Sequence, residues 1–165
     1  MQQVRAAITA GLIMFAVATT VHAQATFVVV RHAERADAGA PVSDPDLSAA
    51  GHARAASLAT MLRDAKVTAI YVTPLKRTQQ TAAPVAKALG LTPIVLPAAD
   101  TAALIAALQQ HQGTALVIGH SNTVPDLVKA LSGVAVTVRD TDFDHLFVVS
   151  RPLVGSASVL QLHYQ

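Results

Sequence analysis

Three short stretches of this chain combine cationic side chains with groups able to hold or attack an anion. They are Arg31-His32, the run from Thr73 to Arg77, and His120-Ser121-Asn122. Arginine presents a planar fork of donors that matches the oxygens of a phosphate. A neutral imidazole nitrogen can attack phosphorus once the charge on those oxygens is neutralised. The transition state of phosphoryl transfer spreads negative charge over the equatorial oxygens, so cationic clamps are the main catalytic requirement. Arg31, Arg77 and His120 gathered around His32 would supply that charge with no metal and no cofactor.

These stretches are tens of residues apart, so the fold must bring them together. Thr26 to Val30 is a β-branched and aromatic run that predicts a buried strand, with Arg31-His32 at its carboxyl end. Breakers follow at Gly39, Pro41, Ser43, Asp44, Pro45 and Asp46. Leu47 to Asp64 predicts a helix with Ser48 as N-cap. Thr68 to Val72 predicts a second strand, and Leu75 to Leu89 a helix closed by Gly90 and kinked at Pro84. Pro93 to Leu96 is a short third strand, and Asp100 caps a helix from Thr101 to about His111. Ala115 to Ile118 predicts a fourth strand ending at Gly119-His120, and a helix from Thr123 to Leu131 follows. Two further runs, Leu146 to Ser150 and Ser158 to His163, flank Pro152 and Gly155 and predict an edge hairpin. Strands alternating with helices imply a three-layer α/β/α sandwich on a mostly parallel sheet. Sites in such sheets form beyond the carboxyl ends of the strands, where all three polar stretches fall.

The bulk composition suits one packed domain. The chain has 165 residues, 52% of them hydrophobic and 13% charged, which excludes a disordered chain. Twelve Lys and Arg against ten Asp and Glu leave a formal charge of +2, with no basic run, so nucleic acid is not an expected partner. There is no cysteine, which excludes disulfides, a thiolate metal site and a thiol nucleophile. Arg5 precedes an apolar stretch from Ala6 to Ala18, and Val21-His22-Ala23 presents a small-x-small cleavage site. That pattern predicts a secretory signal peptide over residues 1–23 and a domain over 24–165, periplasmic or secreted and free of the membrane after cleavage.

The polar stretches also carry a resemblance. Arg31-His32-Ala33-Glu34 resembles the Arg-His-Gly/Ala signature of the histidine phosphatase (phosphoglycerate mutase-like) superfamily. Thr73 to Ala82, reading TPLKRTQQTA, is similar to that family's second segment, in which an Arg followed by Gln-Thr-Ala opens a helix. Gly119-His120-Ser121-Asn122 resembles the segment that supplies the second pocket histidine, and the Leu-Ser-x-x-Gly-x-x-Arg-Ala stretch from Leu47 to Ala55 is also family-like. Four such segments in the family's order imply a metal-independent phosphomonoester hydrolase. By position, the resemblance makes His32 the nucleophile that becomes phosphorylated. It makes Arg31, Arg77 and His120 the phosphoryl clamp, with Ser121 and Asn122 beside the substrate.

The residues offer several candidates for the proton donor to the leaving group. Ser121 follows His120 where the acid-phosphatase branch of the family has an acid. The segment after Arg77 offers only Asp100, which also reads as a helix cap. Glu34 is the next candidate, and the cluster Asp140, Asp142 and Asp144 is a third. His52, His111, His145 and His163 read as surface or packing residues. Two other functions fit the same cations: a non-catalytic domain that holds phosphate or another anion, and a protein phosphohistidine phosphatase. Gly119 to Thr123 also partly matches the nucleophile elbow of α/β-hydrolases, but Thr123 stands where a Gly is needed. A mutase needs a larger lid than the segment after Arg77 provides. Oligomeric state is not legible.

Overall fold

The computed structural model describes residues 24–36 and 43–165. The expected leader, residues 1–23, lies outside them, as do the breakers Gly39 and Pro41. Ten elements follow in chain order: β1 (Ala25–Arg31), α1 (Ala49–Met61), β2 (Val67–Val72), α2 (Lys76–Leu89), β3 (Ile94–Val95), α3 (Thr101–Gln110), β4 (Gly113–Gly119), α4 (Thr123–Ser132), β5 (His145–Arg151) and β6 (Ser158–His163). The six strands form one sheet in the order β3-β2-β4-β1-β5-β6. The first four are parallel, and β5 and β6 join antiparallel at the β1 side.

Side chains alternate across the pleat and build a core on each face. Phe27 and Val29 of β1 pack with Leu108 of α3 and Val124, Leu127 and Leu131 of α4. Val28 and Val30 point the other way, onto Leu58 of α1 and Ala82 and Val85 of α2. This is the three-layer sandwich that the alternation of strands and helices implies. The caps also follow the local chemistry. Ser48 accepts from the Gly51 amide at the start of α1, and Gly90 ends α2 at φ 66°. Helix α1 is shorter than its apolar run, since it begins only after the Ser48 cap and closes at Met61. Helix α2 runs unbroken through Pro84.

Gly51 explains one motif physically. The Glu34 amide, carbonyl carbon and carbonyl oxygen all press against it, and a Cβ there would lie far inside contact distance of that oxygen. Helix α1 can thus sit directly on the loop after β1. Ser48 N donates to the same Glu34 carbonyl at 2.9 Å. Gly51→Ala improves helix propensity yet forces the loop and helix apart. The expected net loss is about 1–3 kcal/mol of stability, measurable by urea unfolding.

Candidate active site

Strand register places the two histidines side by side. Arg31 of β1 pairs with Gly119 of β4, so the next residue of each strand is a histidine at the same level. His32 N donates to the Gly119 carbonyl at 2.9 Å, which extends the ladder by one bond. The imidazole rings meet edge-on with centroids 5.4 Å apart. Strand β2 lies on the other side of β4. From its end, Thr73 Oγ1 comes within 3.3 Å of His120 Nε2. Thr81, one turn after Arg77, accepts from Ala33 N at 2.9 Å and donates to the Arg77 carbonyl at 2.6 Å. The Gln-Thr-Ala pattern thereby ties α2 to the loop carrying His32. Helix α4 starts directly after His120, and the amides of Thr123 and Val124 donate to the His120 carbonyl.

Burial decides the charge state of both rings. It is the largest of the influences that lower the His32 pKa to about 3, and the Arg31, His120 and Arg77 charges act in the same direction. The His120 pKa falls to about 4 through burial, with Arg77 and Arg31 adding to it. Both rings are neutral at neutral pH. The Ala33 carbonyl lies 2.8 Å from His32 Nδ1, and a carbonyl only accepts, so Nδ1 carries the proton. Nε2 then keeps a free lone pair, which is the state a nucleophile needs.

The same pKa values govern stability in acid. An unfolded histidine titrates near 6.5, and these two take up protons in the folded chain only near 3 and 4. Between those limits the unfolded chain binds more protons, so stability falls as pH drops below about 6.5. Urea midpoints measured from pH 7 to pH 4 should decline, and His120→Ala should flatten the decline.

Two arginines stand over these rings. Arg31 is only 5% exposed. Its Nη1 donates to the Arg139 carbonyl at 2.9 Å, its Nη2 is 3.7 Å from Asp140, and its Cζ lies 4.1 Å from the centre of the Phe143 ring. Arg77 Nη1 is 3.6 Å from Asp44 Oδ1. Burial lowers the pKa of each guanidinium, and Arg35 pushes both the same way, while Asp140 and Asp44 oppose it. An arginine stays charged regardless. Among the described residues, the buried Nε–H of Arg31 and that of Arg77 have no acceptor. Two orphaned donors, one on the buried Arg31 and one on the partly buried Arg77, form a site that an oxyanion would satisfy.

The candidate acids separate clearly. Asp100 caps α3, accepting from Ala103 N at 3.0 Å, and has no described hydrogen bond or ion pair to the two rings or the two arginines. Glu34 is held by Arg54 through Nε at 2.9 Å and Nη2 at 2.7 Å. Burial would raise its pKa, but the Arg54 hydrogen bonds and charge bring it below the ordinary value, the wrong direction for an acid. Asp142 receives bonds from Arg139, and Asp144 receives His163. Asp140 alone of that cluster makes an ion-pair contact with Arg31, and it accepts from Ser121 Oγ at 2.6 Å. Ser121 is therefore turned to the rim. Asn122 is exposed, and its side chain does not cap α4.

Phe143, Arg139, Asp44 and Arg35 were not expected at this site. Arg35 alone had a local signal, three residues beyond His32. His111 packs on Phe27 and Tyr71, as its reading as a packing residue implies. His145 and His163 face each other and share Asp144, so they are more than isolated surface residues.

Residues 27–102 match the family model of the histidine phosphatase superfamily (branch 1). The match supports membership of that superfamily and takes in most of the first strand, His32 and Arg77. It likewise supports the general reaction type of that family, a metal-independent phosphatase. Solved structures share the fold. The protein histidine phosphatase SixA, solved with tungstate, superposes with a TM-score of 0.67 at 22% identity, covering 84% of this chain and 96% of that one. A mycobacterial glucosyl-3-phosphoglycerate phosphatase gives 0.58 at 15% identity, over 77% and 90%. A protein described as mycobacterial hydrolase 1 gives 0.67 at 15% identity, over 83% and 97%. No curated protein matches this chain in sequence.

Proposed function

We propose that this chain is a histidine phosphatase that hydrolyses phosphomonoesters through a phosphohistidine on His32. The reading is carried by the two orphaned Nε–H donors of Arg31 and Arg77 set around a neutral His32 whose Nε2 is free. The phosphoryl oxygens take those donors, with His120 beside them. His32 Nε2 attacks phosphorus, and the bond to the leaving oxygen breaks. That oxygen takes a proton and departs as the alcohol. Water then attacks the phosphoryl group, releasing inorganic phosphate and restoring His32. The clamps act most strongly on the transition state, where the equatorial charge is spread.

The test is a chelator-treated assay with an aryl phosphate, followed by a base quench. Phosphohistidine survives base and is lost in acid, so an acid-labile gain of one phosphoryl mass supports the reading. An acid-stable adduct would overturn it. Tungstate, the oxyanion held by SixA, should inhibit competitively.

Asp140 is the proposed proton donor: of the candidate acids it alone reaches the clamp, 3.7 Å from Arg31 Nη2, and no described arginine hydrogen bond holds its carboxyl as Arg54 holds that of Glu34. Asp140→Asn should slow hydrolysis of an alkyl phosphate by about 10²-fold and that of p-nitrophenyl phosphate very little. Equal slowing of both would remove Asp140 from that role. A phosphohistidine substrate would need little acid, since imidazole leaves easily. An acid placed at the rim therefore favours phosphomonoesters. We also propose that residues 1–23 are removed on export to the periplasm or medium. N-terminal sequencing of the exported protein should then begin at Gln24.

A further inference from the structure

Among the described residues outside the phosphoryl site, one cluster has the composition of a transition-metal centre. Asp144, His145 and His163 each place one ligand atom within 4.8 Å of the other two. The cluster is built on paired strands, because His145 of β5 is the direct cross-strand partner of His163 of β6. Their rings lie edge-to-face with centroids 4.8 Å apart. Asp144 reaches both, with Oδ2 2.9 Å from His163 Nδ1 and Oδ1 3.9 Å from His145 Nε2. Its backbone is fixed as well, since its carbonyl accepts from Tyr164 N at 3.0 Å.

We infer that Asp144 Oδ, His145 Nε2 and His163 Nδ1 form a binding site for one zinc ion, off the reaction path. Two imidazoles and one carboxylate suit a borderline-soft cation and disfavour Mg²⁺ or Ca²⁺, which take oxygen ligands. Zinc bonds of ~2.1 Å in a tetrahedron hold ligand atoms about 3.4 Å apart, so side-chain rotations of roughly an ångström close the site. His163 and Asp144 are partly open to solvent, which leaves the fourth position to water. An open groove of about 570 Å³, lined by Glu34, Arg54, Phe143 and Asp144 among others, adjoins the cluster and gives the ion access.

The position suggests a consequence. Strand β5 begins one residue beyond the Val30–Leu146 pair, beside the end of β1. Phe143, whose ring covers Arg31, directly precedes Asp144. An ion on Asp144 would anchor the segment from Arg139 to Phe143 that holds the clamp. The chemistry would stay metal-independent, while its scaffold would be stapled by metal.

The test uses purified protein carrying no polyhistidine tag, freed of metal by chelator and titrated calorimetrically with Zn²⁺. One ion per chain should bind saturably, and Zn²⁺ should raise Tm, whereas Mg²⁺ should do neither. His163 is 58% exposed at its side chain, so His163→Gln should fold normally and bind Zn²⁺ at least ~10-fold more weakly, with the Tm shift lost. Asp144→Asn serves as the second variant, and circular dichroism checks that both are folded. No saturable binding by the wild-type protein would overturn the site and leave a plain His–Asp hydrogen bond. Equal affinity in the wild type and two folded variants would also overturn it.

Discussion

His32→Ala should abolish turnover of an aryl phosphate, by on the order of 10⁴-fold or more in kcat. The reason is chemical. Nothing else among the described residues offers a neutral, lone-pair-bearing nitrogen of the right tautomer beside the two clamp guanidinium groups. His120 is also neutral, but its Nε2 is taken up with Thr73. The variant should still bind tungstate or phosphate, because Arg31, Arg77 and His120 remain. Retained binding with lost turnover would separate the nucleophile from the clamp. Undiminished turnover in His32→Ala would end the assignment of His32, and it would favour a route such as Ser121 acting as a nucleophile. A serine-directed inactivator would then settle that alternative.

Arg77→Ala should lower kcat/KM by about 10²–10³-fold, some 3–4 kcal/mol of transition-state stabilisation. Arg77 is the cleaner of the two arginines to remove. Arg31 supports its own surroundings by donating to the Arg139 carbonyl, so its loss would strand a carbonyl and unseat Phe143. Among the described residues, the Arg77 side chain has only the carboxylate of Asp44 at 3.6 Å, and Asp44 keeps other work, accepting the Lys76 amide at 3.1 Å. Arg77→Lys should recover only part of the rate, since an ammonium cannot offer a planar fork. Near-normal kcat/KM in Arg77→Ala would refute the clamp.

Much of this site was legible because its signals are local. His32 and His120 each end an apolar strand, and an α/β sheet collects strand ends at one rim. The Ser48, Gly51 and Arg54 pattern could be recognised by its resemblance to the family's, although its purpose could not. Ser48 and Gly51 seat α1 on the Glu34 backbone, and Arg54 holds the Glu34 side chain. What was not legible depends on long-range placement. Arg31 relies on Arg139 and Phe143, more than a hundred residues away, and no spacing rule links them. Asp100 had a dual reading, and its capping bond is the one the structure contains. His145 and His163 looked unremarkable because their pairing exists only once the β5–β6 hairpin sets its register.

The mixed sheet has a practical meaning for anyone wishing to attach something to this protein. Because β5 runs against β1, its first residue lies near the phosphoryl site and its last lies at the opposite end of the sheet. The turn from β5 to β6 therefore hangs about 20 Å from His32, at ~3.4 Å per strand residue. Val154 at its tip is 90% exposed. A fluorophore, an affinity handle or an entire inserted domain should be carried there without touching catalysis. The longer loop from α4 into β5 has no such freedom, because its Arg139 and Phe143 already hold Arg31.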